Sequence, residues 1–174
     1  MPPPSDATLR PERVDDIAQV RVVQSAAFGR SDEADLVDAL RAAATPTLSL
    51  VAQVDGLVVG HVCFSPVTIE GCPEAPAMAG LAPLAVLPAF QGRGVGGALV
   101  REGARACASL GWRAIFLLGA PDYYGRFGFE LAAARGFHYE SERFDSHFQV
   151  LELEPAALAG YAGWVRYHDA FAGS

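Results

Sequence analysis

The sequence predicts an α/β fold: a mixed sheet with helices on both faces. Three observations carry this. Apolar and β-branched runs alternate with segments of helical spacing, in the order β-α-α-β-β-β-α-β-α-β-β. An Asp55-Gly56 pair joins two long strand-like runs, which makes those strands antiparallel. Further along, a buried strand passes through a glycine loop into a helix and then another apolar strand, a unit whose two strands run parallel.

The elements follow in order. Residues 8–10 form a short first strand. Asp15 or Asp16 caps a helix on which Ile17, Val20, Val23 and Phe28 have helical spacing. Ser31-Asp32-Glu33 opens a second helix with Leu36, Val37 and Leu40 inward, and its acidic start suits the helix dipole. Residues 47–54 and 57–69 are the hairpin strands. Residues 70–77 hold Gly71, Pro73 and Pro76 and form a loop. Residues 79–87 are apolar on both faces and belong in the middle of the sheet. Residues 88–94 are a loop, and residues 95–110 a helix that Gly111 ends. Residues 114–118 are a buried strand, residues 123–127 a short helix, and residues 137–139 and 148–153 later strands.

At 174 residues, 51% apolar and 19% charged, the chain suits one globular domain, residues 1–174, with a substantial core. No apolar run reaches the ~18–20 residues of a membrane span. Residues 1–10 lack the basic start and apolar stretch of a secretory signal, so a cytoplasmic protein with no membrane partner is expected. The net charge of −7 disfavours nucleic acid as a partner. It either aids solubility or favours a cationic substrate such as an amine. Cys63, Cys72 and Cys107 show no C-x-x-C spacing, which argues against a disulfide framework or a zinc site. Cys63 and Cys107 read as small core residues, and Cys72 as exposed. His138, His147 and His168 have no metal-ligand spacing, so no metal is expected.

The informative segment runs from Leu84 through Pro88 to Gln91-Gly92-Arg93-Gly94-Val95-Gly96-Gly97. The first turn of a helix has backbone N–H groups without internal partners, and with the dipole they make an anion site. Glycines let the backbone approach a phosphate closely. A ligand bearing a pyrophosphate is the direct inference. Gly92, Gly94 and Gly97 also match G-x-G-x-x-G, the dinucleotide pattern. Pro88 to Gln91 separate that match from its strand, however, and the next strand ends at Leu118-Gly119 without an acidic residue. A P-loop would need Gly-Lys-Ser/Thr, which does not follow. A glycine turn with no ligand is the remaining alternative.

Gln91-Gly92-Arg93-Gly94-Val95-Gly96 resembles the Q/R-x-x-G-x-G/A signature of the GNAT acetyltransferases. The preceding Leu84-Ala85-Val86-Leu87-Pro88 resembles their fourth strand. Tyr123-Tyr124-Gly125-Arg126-Phe127-Gly128-Phe129 resembles a second family motif, and the wording is most similar to the YhbS-like branch. The resemblance is specific over about residues 80–130 and looser from 8 to 69. It implies the GNAT fold, with six or seven strongly twisted strands, and acetyl-CoA as co-substrate. It implies that the backbone of residues 92–97 holds the pyrophosphate, and that Leu84, Ala85 and Val86 pair with the pantetheine arm like an added strand. It further implies that the fourth and fifth strands splay apart, which suits a proline at Pro83. Arg93 and Arg126 each either reach a phosphate or stand in solvent.

The implied reaction is acetyl transfer to a primary amine of a small molecule or a protein, by a monomer or homodimer. The carbonyl oxygen then needs a donor worth about 3 kcal/mol, and a backbone N–H near Ala85 or Val86 is the candidate. The departing thiolate needs a proton; Tyr124 holds the family's position for that acid, while Tyr123 packs. The amine needs a base, and no carboxylate lies between residues 79 and 87 where some family members carry one. His61, if not structural, and Glu33 and Asp35, if not solvent-facing, are alternatives, as is a water relay. Phe127 and Phe129 read as core. Tyr161, Trp164, Tyr167 and Phe171 are expected to cover the sheet; closing the acceptor pocket or a partner chain are the other options. A non-catalytic acyl-CoA sensor and a nicotinamide-linked oxidoreductase are the rival functions.

Overall fold

A computed structural model describes residue 4 and residues 6–43, 45 and 47–173. The expectations that touch residues 1–3, 5 and 174 lie outside them. The strands are β1 (Thr8–Pro11), β2 (Leu48–Val54), β3 (Leu57–Ile69), β4 (Met78–Val86), β5 (Ala114–Leu118), β6 (Glu130–Leu131), β7 (Phe137–His138), β8 (Phe148–Glu152) and β9 (Gly163–Arg166). The α-helices are α1 (Ile17–Phe28), α2 (Asp32–Ala42), α3 (Val95–Ser109) and the single turn α4 (Pro121–Tyr124).

Seven strands lie on one path, β1-β2-β3-β4-β5-β8-β6, and β9 joins β3 to β7 off that path. The sheet is mixed, as expected. β4 and β5 run parallel across the α3 crossover, and their neighbours on the path pair antiparallel. Asp55 and Gly56 both adopt positive φ, 48° and 80°, the twist-matched turn of a two-residue hairpin. Two strands escaped the sequence reading. β6 has two residues, too few for periodicity. β9 starts at Gly163 and pairs over two positions with β3 and two with β7. Asp16 does not cap α1 with its side chain. Its carboxylate instead accepts from the Arg13 N–H at 2.7 Å and the Arg10 guanidinium at 2.6 Å, tying the first strand to the helix entrance.

Helices cover both faces. α3 lays Leu99, Val100 and Cys107 on Phe64, Leu81, Ile115 and Leu117. Gly103 allows this close approach, because a Cβ there would stand 2.3 Å from the Phe64 ring. On the other face, Val20, Val23 and Val37 meet Val51, Val58 and Ala85. Each such aliphatic side chain contributes about 1.5–3 kcal/mol on burial. A further core, centred on Phe116, Phe137 and Phe148, holds the C-terminal strands.

The feature that positions the site is a divergence. β4 and β5 pair at Met78↔Ala114, Ala79↔Ile115 and Gly80↔Phe116, and there the ladder stops. Beyond it β5 continues with β8 through Leu117 and Leu118, while β4 stays with β3 through Leu84, Ala85 and Val86. Pro83, which has no N–H to offer a ladder, falls in the open stretch.

Candidate functional site

β4 ends at Val86, and a 3-10 turn over Pro88–Phe90 leads into the glycine loop. The side chain of Gln91 donates from Nε2 to the Val86 carbonyl at 3.0 Å, clasping the loop to the strand. Gly92 and Gly94 have φ of 74° and 83°, a region costly for residues with a Cβ. The α3 ladder begins with the Ala98 N–H donating to Gly94 O at 3.1 Å. The amides of Val95, Gly96 and Gly97 therefore lie outside the i→i−4 ladder, at the positive end of a fifteen-residue helix.

These amides border a cavity of about 320 Å³ lined by Val86, Gln91, Gly92, Gly94, Val95, Gly96, Gly97, Tyr123 and Arg126, together with Phe90, Arg101 and Phe127. A Cβ at Gly96 would stand 2.8 Å from the Tyr123 hydroxyl, so glycine keeps this cradle open. Arg126 lies over the Tyr123 ring at 4.5 Å and Arg101 over Phe127 at 4.9 Å. A net-negative chain thus gathers two guanidinium groups and a helix N-terminus around one hollow, the electrostatics of a polyanion site. Arg93 does not line it, and stacks on Phe90 at 5.1 Å at the loop's outer side. Arg101, Tyr123, Phe90 and Phe127 were missed as lining residues. Arg101 was readable, since it lies one helical turn beyond Gly97.

Along β4 the Leu87 N–H donates to Val59 O at 2.8 Å, directly across the antiparallel ladder. By the two-residue alternation of that ladder, the N–H and C=O of Ala85 face β3, whereas those of Leu84 and Val86 face the gap left by β5. The Ala85 amide is therefore not the donor facing the gap, and its side chain is buried against α1.

A second cavity, of about 430 Å³, opens beyond the first. It is lined by Leu81, Ala82, Pro83 and Leu84 of β4, Leu118 and Tyr124, Phe28, Arg30, Glu33 and Leu36, and Tyr139, Tyr167 and Phe171. Val86 and Leu84, two apart on β4, and the adjacent Tyr123 and Tyr124 divide between the two cavities. The Tyr124 ring is fixed edge-to-face with Tyr123 at 4.9 Å and Phe129 at 5.9 Å. It also sits where a Cβ on Gly119 would be, 2.5 Å from that point. Burial pushes its phenol up to about 12, helped by Tyr123.

His61 lies outside both cavities. It is fully buried between Gln24, at 2.8 Å from Nδ1, and Ser49, at 2.7 Å from Nε2, and burial followed by the charge of Arg41 lowers its pKa to about 3. It is a neutral structural imidazole. Asp35 is 60% exposed and paired with Arg21. Glu33 does reach the second cavity: its side chain is 13% exposed and held by Arg30. Of the aromatic set, Trp164 packs on His138 and Tyr161 on the C-terminal core, covering the sheet as expected, but Tyr167 and Phe171 wall the second cavity. Phe129 is core, whereas Phe127 lines the first cavity.

Burial raises the Cys63 and Cys107 thiols to about 12, far from a thiolate nucleophile. Among the described residues no group of three or more His, Cys, Asp or Glu is placed to hold a metal ion. No helix among them is long and apolar enough to cross a membrane.

Comparison with known proteins agrees with this geometry. Residues 17–129 match the model of the acetyltransferase (GNAT) family. The chain is 40% identical over 154 residues to the uncharacterised N-acetyltransferase YjhQ of Escherichia coli, covering 84% of this chain and 85% of YjhQ. It is 43% identical over 145 residues to the uncharacterised N-acetyltransferase YhbS of the same organism, covering 83% and 86%. The crystal structure of Escherichia coli YhbS in complex with CoA superposes with a TM-score of 0.92 at 39% identity, covering 99% of this chain and 95% of YhbS. A GNAT family acetyltransferase from Brucella melitensis, in complex with acetyl-CoA, gives 0.79 at 42% identity, covering 95% and 97%. From the clasped glycine turn to the parted strands, the chain belongs to the GNAT acetyltransferase family, on its YhbS-like branch.

Proposed function

We propose that residues 1–174 form one N-acetyltransferase domain that moves an acetyl group from acetyl-CoA to a primary amine. The cofactor-binding unit is about residues 80–130. The observation that carries this is continuity: the glycine cradle, the open edge of β4 and the Tyr124 cavity lie in line where β5 leaves β4. The two relatives solved with CoA or acetyl-CoA support the choice of coenzyme. The three free cysteines fit a reducing, cytoplasmic setting.

The residues fit the coenzyme. Gly92, Gly94, Val95, Gly96 and Gly97 offer backbone amides to the pyrophosphate, with Arg101 and Arg126 at its flank and Gln91 holding the turn. Leu84 and Val86 offer the gap-facing edge to the pantetheine amides. Bound acetyl-CoA supplies the activated acyl thioester. The chain's own residues then orient and shelter the exchange. The N–C bond forms as the C–S bond breaks, and the ammonium gives up two protons, one to solvent and one that ends on the sulfur. The Leu84 or Val86 N–H stands on the gap to stabilise charge on the carbonyl oxygen. Tyr124 keeps its proton across the physiological range, which rules it out as the base and leaves its O–H able to hydrogen-bond to the departing sulfur and protonate it.

The test is a thiol-release assay with acetyl-CoA over a panel of primary amines, beside thermal-shift titrations. Release with at least one amine, and stabilisation by CoA rather than by NAD(H), is expected. Stabilisation by NAD(H) alone, or CoA binding without release from any amine, contradicts the reading.

A further inference from the structure

The second cavity has a composition the acetyl-transfer reading does not require. One side is a continuous aromatic wall. Tyr167 meets Tyr139 edge-to-face at 5.1 Å and Phe171 at 5.0 Å. The wall is built in: a Cβ on Gly80 would stand 2.4 Å from the Tyr167 ring, so that glycine, at the last β4–β5 pair, lets the ring reach the cavity floor. All three rings come from residues beyond the 17–129 span that matches the family model. Burial raises the phenols of Tyr139 and Tyr167, so the wall is uncharged at neutral pH.

Among the described residues, the only formally charged ones lining the cavity are Arg30 and Glu33, which pair with each other. Their settings differ. Arg30 is 61% exposed and Glu33 13%. Arg30 holds the carboxylate from the solvent side, and because a carboxylate has about four lone-pair sites, Glu33 can accept from an ammonium in the cavity while it keeps Arg30. The Arg30 hydrogen bond holds the Glu33 carboxyl below its usual range, so it is ionised at neutral pH. One carboxylate facing an apolar, ring-lined hollow of about 430 Å³ is the complement of one cation on an apolar body. A polyamine brings further ammonium groups for which the described lining residues offer no second carboxylate. A peptide brings backbone amides that rings and aliphatic side chains leave unpaired.

Resting on the acetyl-transfer reading, we propose that the acceptor is a small primary amine on an aromatic or branched apolar body, its ammonium drawn to Glu33 and its body packed on the Tyr139–Tyr167–Phe171 wall. Glu33 acts here as the binding group for the incoming cation.

The probe is 2-phenylethylamine, compared with spermidine and a short lysine peptide. Direct binding to the CoA-loaded chain is measured by calorimetry, and kcat/KM by thiol release. The expected result is binding of 2-phenylethylamine that weakens about tenfold or more in Glu33→Gln, the scale of one charge-assisted contact. It weakens also in Tyr167→Leu, with CoA affinity unchanged in both variants. In turnover it is favoured about tenfold or more over spermidine and the peptide. Preference for spermidine or the peptide overturns the proposal while leaving acetyl transfer standing. Glu33-dependent binding without release from any amine upholds the cavity assignment and sinks acetyl transfer instead. No binding of 2-phenylethylamine to the folded wild-type chain, or equal binding to Glu33→Gln, also overturns it.

Discussion

Lowering the pH from 7 to 4 should destabilise this protein through His61, and the size of the effect follows from the burial of one imidazole. His61 lies fully buried between Gln24 and Ser49, and its pKa falls to about 3 from the ordinary 6.5, first through burial and second through the charge of Arg41. The folded value is depressed, so below pH 6.5 the unfolded chain binds a proton that the folded chain refuses. Stability therefore drops as pH falls from 6.5 toward 3 and levels off below. At about 1.4 kcal/mol per pH unit the loss reaches about 3 kcal/mol by pH 4, a large share of a typical domain's stability. Asp16, Glu33 and Glu152, whose pKa values are also lowered, lose stability in the same direction. A His61→Gln variant keeps those carboxylates and removes only the imidazole. Urea titrations of both proteins at pH 7, 5.5 and 4 separate the two contributions. At pH 7 the variant should be less stable by about 1–3 kcal/mol, the cost of disturbing a buried hydrogen-bonded site. By pH 4 that deficit should vanish or reverse. A deficit that stays constant across the range refutes the neutral, buried imidazole, and a His61→Gln variant whose pH–rate profile loses a limb would return His61 to the chemistry.

Tyr124→Phe should lower kcat by about 10²-fold or more while CoA affinity changes little, in steady-state assays beside calorimetry; an unchanged kcat removes the acid role. Gly119→Ala places a methyl group 2.5 Å from the Tyr124 ring, so it should lower the melting temperature, at a cost of about 1–3 kcal/mol, and slow turnover by displacing that ring. A stable variant of full activity would contradict the ring's placement. Gly94→Glu combines a strained φ of 83° with a negative side chain at the cradle and should abolish CoA binding by calorimetry, and a folded variant of undiminished affinity counts against the site.

What the sequence disclosed was whatever is local. The Asp55-Gly56 turn, the 57–69 strand and the run from Leu84 to Gly97 are each specified by neighbours along the chain. The site's far wall was hidden for the opposite reason. Tyr139 and Tyr167 meet through the two-position pairing of β7 with β9, and Phe171 joins them by packing on Leu36 and Leu40 of α2, contacts no periodicity announces. Glu33 is an intermediate case. It shares a helical face with Leu36, Val37 and Leu40 at spacings of three, four and seven, whereas Asp35 points away to Arg21, so helix phase alone separates the two acids. His61 looked available on a strand, and only its burial and its two partners make it structural. The gap-facing amides of Leu84 and Val86 could not be told from that of Ala85 until the β3 register fixed the alternation.

The most direct test is a CoA titration of isotope-labelled protein followed at its backbone amide resonances. The account predicts saturable one-to-one binding, with the largest shifts at residues 92–97 and smaller ones at 84 and 86. Saturable binding that leaves those amides unmoved while resonances elsewhere respond would contradict it.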